Sequence, residues 1–229
     1  MFHGMSIKDK KNTKDNFSVK IIPSQETWEW LLKKHYAHRI PSISYAFGLY
    51  EDKKLIGVCT FGTPASDNIS KLIPDYNTIE LNRLVVTDMD EKNITSFFVS
   101  KCLKLLPTPI SIISYADTGQ GHIGKIYQAT NWIYTGKGQA DHEFIKNGNT
   151  YHRRHVYEKL PEHTKECAIK HGYTVKKTYA KYRYFMFLGS KKEKKEMTKR
   201  LPFKIQPYPK GETKRYDASY QPITQGLLF

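Results

Sequence analysis

Several residues able to do chemistry stand where strands or helices are expected to end. Asp117 closes the run Ser114-Tyr115-Ala116-Asp117, where a strand should pass into a loop. A carboxylate there can accept a proton or orient an amine, or it can merely cap the next helix. His122 and Tyr127 follow, five residues apart, and can reach one ligand only if the helix carrying Tyr127 starts after His122. In the apolar run TIELNRLVV (residues 78–86), alternation puts Glu80 and Asn82 on one face and Leu81 and Arg83 on the other. A guanidinium in such a strand is costly unless paired. Arg83 is therefore expected in an internal ion pair, with Asp117 as partner, or on a phosphate or substrate. His35 and Tyr36 end a helix beside Arg39, where the helix dipole favours a charged imidazole. His152, Arg153, Arg154 and His155, with the lysine-rich segment 191–200, make basic stripes interleaved with Tyr179, Tyr182 and Tyr184. A solvated face explains part of this pattern, while phosphate contact and base stacking explain the mixture of cations with aromatics.

The glycine pattern Gly119-x-Gly121-x-x-Gly124 has the dinucleotide-binding form. Its context is wrong, because short strands and a hairpin follow it instead of a parallel strand ending in an acid. A site loop or a flexible turn fits better.

The elements that must position these groups can be read coarsely. Ser24 is placed to cap a helix with Trp28, Leu31, Leu32 and His35 on one face, ended by Pro41. SYAFGLYEDKKLIGVCTFG reads as a hairpin around Glu51–Lys54, and TIELNRLVV as the next strand. Asn93 or Thr95 opens a helix carrying Phe97, Phe98, Cys102, Leu105 and Leu106, closed by Pro107 and Pro109. ISIISYAD is a strand, HIGKIYQAT a short helix and WIYTG a strand. Asn147-Gly148 suits a type I′ hairpin turn. A helix is expected over 161–171 with Pro161 at its start and Gly172 at its stop. KYRYFMFLG is a strand, and Ser190 with Glu193 forms a capping box for a basic helix. The class is α/β around one sheet.

Charge is the outlier in composition: 37 Lys+Arg against 22 Asp+Glu leave +15 on 229 residues. Such a balance predicts attraction to polyanions, nucleic acid before an anionic membrane surface. No apolar run approaches the roughly 18–20 residues of a spanning helix, and the start has no signal-peptide core. Cys59, Cys102 and Cys167 form no CxxC pair, which fits reduced thiols in a cytoplasm and not a zinc module.

SYADTGQGHIGKIYQATNWIYTG (residues 114–136), with ELNRLVV (80–86) upstream, resembles the phage Mom family of DNA-modification proteins. HYAHRIPS (35–42) and the stretch from KYRYFMFLG to YPKG (181–211) carry the same likeness. The resemblance implies a GNAT-like mixed central sheet flanked by helices. It also implies conversion of adenine in double-stranded DNA to an N6-carbamoylmethyl derivative that shields phage DNA from host restriction. One domain over 17–200 is expected, between a disordered basic N-terminus (1–16) and an extended tail (201–229).

On this likeness the 80–86 strand splays from its neighbour, and Leu84, Val85 and Val86 line the arm of acetyl-CoA or a related CoA thioester. The usual Arg/Gln-x-x-Gly-x-Gly/Ala phosphate turn is replaced by EKNITSFF. Asn93, Thr95 and Ser96 then meet the pyrophosphate, and Asn131 joins the coenzyme set. Tyr127 matches the tyrosine that protonates a departing thiolate. His35, Tyr36, Arg83 and Asp117 complete the implied catalytic set: Tyr36 holds the everted ring, Asp117 or His35 takes its amino proton, and Arg83 orients the donor. Ser114, Tyr115, His122, Lys125, His152, Arg153 and Arg154 are implied to contact adenine and DNA. Acyl transfer alone does not make an N–CH₂ bond, so an added component such as iron is raised. His35, Glu80, Asp117 and His122 are suitable ligand types without a metal spacing. The oligomeric state is open, a homodimer included. Two rivals compete: an acetyltransferase of a protein or small amine, which would work without DNA, and a non-enzymatic DNA-binding protein, which would leave nucleosides unchanged.

Overall fold

The computed structural model describes residues 16–88 and 91–213. The expected disorder of the N-terminus therefore falls, but for Asn16, outside the described residues, as does the tail beyond Thr213. Strands β1 (Phe17–Ile21), β2 (Tyr45–Glu51), β3 (Lys54–Gly62), β4 (Thr78–Val86), β5 (Ile110–Asp117) and β6 (Ile133–Lys137) are followed by β7 (His142–Lys146), β8 (Asn149–His152), β9 (Thr174–Lys177) and β10 (Lys181–Leu188). Helices are α1 (Gln25–Glu29), α2 (Asp67–Ser70), α3 (Ile94–Leu105), α4 (Lys125–Ala129), α5 (Arg153–Tyr157), α6 (Lys165–Lys170) and α7 (Lys191–Arg200). A seven-stranded sheet has the order β1-β2-β3-β4-β5-β10-β6, and β8-β7-β9 form a satellite sheet. The mixed α/β architecture with a large central sheet flanked by helices is the one expected.

All neighbours in the main sheet are antiparallel except β4 and β5. Those two run parallel and pair only over Thr78–Glu80 against Ser111–Ile113. Beyond Glu80 the strands part, and the opening between them is the feature that matters for function. β5 continues into a 3₁₀ turn and pairs with antiparallel β10, so the glycine pattern does not sit in a dinucleotide-binding unit.

Side chains on the two faces of the sheet make separate cores. Phe47, Cys59, Phe61 and Leu81 pack under α3, which buries Phe98, Val99 and Cys102. The opposite face packs Val58 and Val85 under Trp30 and Leu31, and farther along Ile113 and Phe185 under Met197 of α7. Each fully buried ring such as Phe98 contributes about 1.5–3 kcal/mol by leaving water. Phe144, Val156 and Ala168 form a small core under the satellite sheet.

Several local expectations are corrected. Ser24 makes no side-chain cap, since it is itself helical. After α1 the chain widens into a π-turn (Trp30–Lys34), where the His35 amide reaches back five residues to the Trp30 carbonyl at 3.0 Å. That extra residue rotates the face, so Trp30, Leu31 and His35 are buried while Trp28 is 43% exposed. Leu105, expected inward on α3, is also exposed, with Leu103 in its place. The 161–171 helix shrinks to α6, capped by Thr164, and Pro161 lies before it. The capping box of α7 and the left-handed Asn147-Gly148 hairpin turn stand as expected.

The tail from Leu201 is extended and packed. The Arg183 guanidinium lies 3.4 Å over the Phe203 ring, Gln206 N–H donates to the Tyr134 carbonyl at 2.9 Å, and Tyr208 donates to the Trp132 carbonyl at 2.6 Å. It thus runs along the outer edge of β6 to reach Thr213, beside Gly121.

Candidate active site at the split between β4 and β5

The opening encloses a cleft of about 640 Å³. It has two sides, set by strand register. Arg83 pairs with Thr60 and Leu81 with Phe61, so Asn82 is an extra, bulged residue. Thr60 and Phe61 point to opposite faces, and so must Arg83 and Leu81. This corrects the simple alternation: Glu80, opposite Gly62, and Arg83, opposite Thr60, share one face. Asn82 secures the bulge, accepting from Thr60 Oγ1 at 2.6 Å and donating to the Ser42 carbonyl at 2.8 Å.

On that first face the π-turn delivers His35 and Tyr36. Their rings stack at 4.3 Å, and the Tyr36 ring meets His122 edge-on at 6.2 Å. His35 Nδ1 accepts from the Ala37 amide at 3.0 Å, which leaves its ring proton on Nε2. Burial, with Arg83, His38, His122 and Arg39 nearby, pushes its pKa down to about 3. The expected cationic imidazole is corrected: the ring is neutral, with its Nδ1 lone pair already engaged.

Arg83 Nη1 donates to the Asn82 carbonyl at 2.6 Å, and its buried Nε has no partner. Burial and the neighbouring Arg39 weaken its hold on its proton, while Tyr36 and Glu80 strengthen it. Burial raises the Glu80 carboxyl above the usual range, opposed by Arg83, an Ala65 N–H bond, Lys181 and Arg39. Tyr115, on β5, is pushed up to about 12 by burial and by Glu80.

The expected Arg83–Asp117 pair does not form. Asp117 accepts from Gly119 N–H at 2.8 Å and sits 3.5 Å from Lys181 Nζ, outside the cleft lining. The turn after β5 needs a carboxylate cap, and β10 brings the lysine opposite it.

On the second face lie α3 and α4. Gly121 and Gly124 take positive φ (70° and 80°), so α4 begins at Lys125, after His122. His122 and Tyr127 therefore both line the cleft, as the condition on helix start required. Tyr127 packs on Trp132 and Tyr184 with ring centroids 5.1 Å away. Ser114, buried behind it, places its hydroxyl 2.7 Å from the phenol and 2.8 Å from the Leu81 carbonyl. Burial holds the phenol protonated well beyond its ordinary range.

Leu84, Val85, Val86, Asn93, Thr95, Ser96 and Lys125 also line this space. The first intrahelical bond of α3 runs from Phe97 N–H to Asn93 O at 2.9 Å, so the amides of Ile94, Thr95 and Ser96 are not used within the helix. These donors, with Lys92 and Lys125 beside them, fit a pyrophosphate. Asn131 is left-handed and lies in an adjoining groove, which shares Lys92, Asn93 and Ser96 with the cleft. His152, Arg153 and Arg154 are exposed on the satellite sheet and α5, and His152 feels the charge of Arg39 near the cleft. Among the described residues no three His, Cys, Asp or Glu side chains come together to hold a metal. His35, Glu80, Asp117 and His122 thus do not fit an iron centre. No helix among the described residues is long and apolar enough to cross a membrane.

Sequence reasoning undervalued Glu80, because alternation set it on the opposite face from Arg83. The signal was a carboxylate three residues from an arginine in a strand, which becomes one face once a bulge intervenes.

The parted parallel strands thus frame a cleft with one face of ionisable groups and another of hydroxyls and helix-end amides. The chain belongs to the Mom protein family, whose model matches residues 16–210. It is 29% identical over 197 residues to the methylcarbamoylase Mom of Escherichia phage Mu, covering 77% of each protein. Solved structures similar to it include a Bacillus subtilis acetyltransferase in complex with CoA (TM-score 0.42, 12% identity, covering 76% of this chain and 99% of that one). Another is an IAA acetyltransferase of Bacillus cereus (TM-score 0.43, 13% identity, 75% and 99%).

Proposed function

We propose that this protein is a DNA-modifying transferase that converts adenine in double-stranded DNA to N6-carbamoylmethyladenine, as a phage defence against host restriction. Family membership and the activity named for the Mu relative support the reaction class. The observation that carries the site assignment is the shared face of Glu80 and Arg83 in the cleft, beside Tyr36.

The adenine amino nitrogen is a poor nucleophile and is stacked inside the duplex. It must be extruded, at a cost of a few kcal/mol. Tyr36, between His35 and His122, offers an aromatic face to the everted ring. Glu80 accepts the amino proton as the new N–C bond forms, its raised pKa bringing it closer to the operating pH. Arg83 holds developing negative charge in a site shielded from water. His152, Arg153 and Arg39 meet phosphates at the mouth, aided by the overall +15.

Asn93, Thr95, Ser96 and Lys125 would hold a CoA thioester by its phosphates, with Leu84, Val85 and Val86 along its arm. Attack at the acyl carbon of such a carrier would expel thiolate and form N–C(=O). The N–CH₂ bond of the proposed product would require a donor whose methylene carbon bears the leaving group. Tyr127, kept protonated by burial, is the proton donor on that side.

Mass spectrometry of nucleosides from cells producing the protein tests this reading. A carbamoylmethyl mass increment on deoxyadenosine, lost in Glu80→Gln, is the expected result. Unaltered nucleosides would reject it, and CoA-dependent acetylation of an amine without DNA would favour an acetyltransferase instead.

A further inference from the structure

Tyr179 is 67% exposed in the connection 178–180 between β9 and β10, two positions before Lys181, which lines the cleft. The connection is fastened on both sides of this ring. The Thr178 amide donates to the Asp141 carbonyl at 2.8 Å, and the Thr178 hydroxyl accepts from the Asp141 amide at 3.1 Å. On the other flank Thr118 Oγ1 donates to the Ala180 carbonyl at 2.6 Å. The ring is seated on Gly119, where a Cβ would meet Tyr179 Cδ2 at 2.5 Å, so any larger residue would push it off.

Gly119 belongs to the turn 117–122, closed by the His122 N–H donating to the Asp117 carbonyl at 3.1 Å. One end of this turn carries the seat of Tyr179 and the ion pair of Asp117 with Lys181. The other end carries His122, edge-on to Tyr36 within the cleft at 6.2 Å. A single turn therefore supports an outward ring beside the cleft and the neighbour of an inward one. Lys176 and Lys177, both exposed, precede the outward ring.

We propose that Tyr179 is a wedge that enters double-stranded DNA at the place the adenine vacates. The inference rests on the reading of the cleft as an adenine pocket. Extrusion leaves a gap in the base stack, and a flat side chain inserted there keeps the strands from closing over it. A phenol ring suits the task, because its faces stack on bases of any sequence. Support from backbone and a glycine, with most of the ring in water, keeps it available to the duplex. The shared turn fixes its distance from the pocket that receives the base, and Lys176 and Lys177 meet the flanking phosphates.

The test compares binding of the full-length protein to two pools of duplexes with randomised flanks. One pool is intact, and the other has a single abasic site opposite thymine, a gap that needs no extrusion. Wild type and Tyr179→Phe should bind the gapped pool about tenfold more tightly than the intact one. Tyr179→Ala should lose that preference while its affinity for intact duplex, the salt dependence of that affinity and its melting temperature stay near wild type. Gly119→Ala, which displaces the ring and leaves Tyr179 in place, should weaken the preference in the same direction. Deoxyadenosine modification should fall about tenfold in Tyr179→Ala. A preference absent from wild type, or kept in Tyr179→Ala, overturns the proposal. So does an equal loss of affinity for both pools with an altered salt dependence, which would make the connection a phosphate contact. A Tyr179-dependent preference in a protein that leaves deoxyadenosine unmodified upholds the wedge and rejects the adenine chemistry. Modification at full rate by Tyr179→Ala rejects the wedge and leaves the chemistry standing.

Discussion

The two faces of the split sheet use different physics. On the Glu80 side, ionisable groups crowd together: Arg83, Arg39, Lys181 and Tyr115 act on its carboxylate, His35 lies near Arg83 and His122 beside Tyr36, and several have shifted affinities for protons. On the α3–α4 side, helix-end amides, hydroxyls and one phenol dominate. In the proposed reaction, the crowded charges would serve the step that takes a proton from a weak nucleophile. The helix-end amides and hydroxyls, with Lys92 and Lys125, would hold a charged carrier.

If that contrast is right, Glu80→Gln should do the most damage, lowering modification by about 10²–10⁴-fold in single-turnover assays with duplex DNA. In wild type the rate should fall as pH drops through the raised Glu80 pKa, above the ordinary carboxylate range. A raised folded-state pKa stabilises the fold at low pH, and this stabilisation is lost as pH rises through it. Glu80→Gln should consequently be more stable than wild type at neutral pH, as measured by urea denaturation.

Arg83→Met comes next. Removing this cation should cost about 10²–10³-fold in rate. It also takes away the opposite charge nearest Glu80, so the carboxyl pKa should rise further and stability should fall more at neutral than at acidic pH, as measured by urea denaturation. Tyr127→Phe, on the other face, should slow turnover by about 10²-fold with DNA affinity unchanged, in binding measured beside rate. An equal loss of DNA binding would place the phenol on the acceptor side.

The pH dependence of stability gives a smaller, graded effect. Folding lowers the His35 pKa from 6.5 to about 3, so its stabilising contribution is complete above about 6.5 and is lost as pH falls toward 3. Stability should decline by at most about 1.4 kcal/mol per pH unit in that window, and His35→Gln should flatten the curve.

Much of this was legible in the sequence, for reasons specific to each segment. The hairpin, α3 and the capping box follow from apolar periodicity and local chemistry, and the parting of β4 from its neighbour was implied by the resemblance. So was the convergence of His35, Tyr36, Arg83, His122 and Tyr127. What failed was phase: one extra residue at Asn82 reversed a face, and the π-turn at Trp30–Lys34 rotated another. Neither insertion leaves a mark in side-chain hydropathy. Asp117 misled for a different reason, because a strand-ending carboxylate serves a turn as readily as a reaction, and Lys181 lies opposite it only through a contact 64 positions apart in sequence.

The bonds from Gln206 and Tyr208 to the carbonyls of Tyr134 and Trp132 occupy the open side of β6, the last strand of the main sheet. An unoccupied margin of that kind is a template on which another chain can add a strand. With the segment after Leu201 seated there, a strand from a second molecule would meet the Tyr134 and Trp132 carbonyls already engaged.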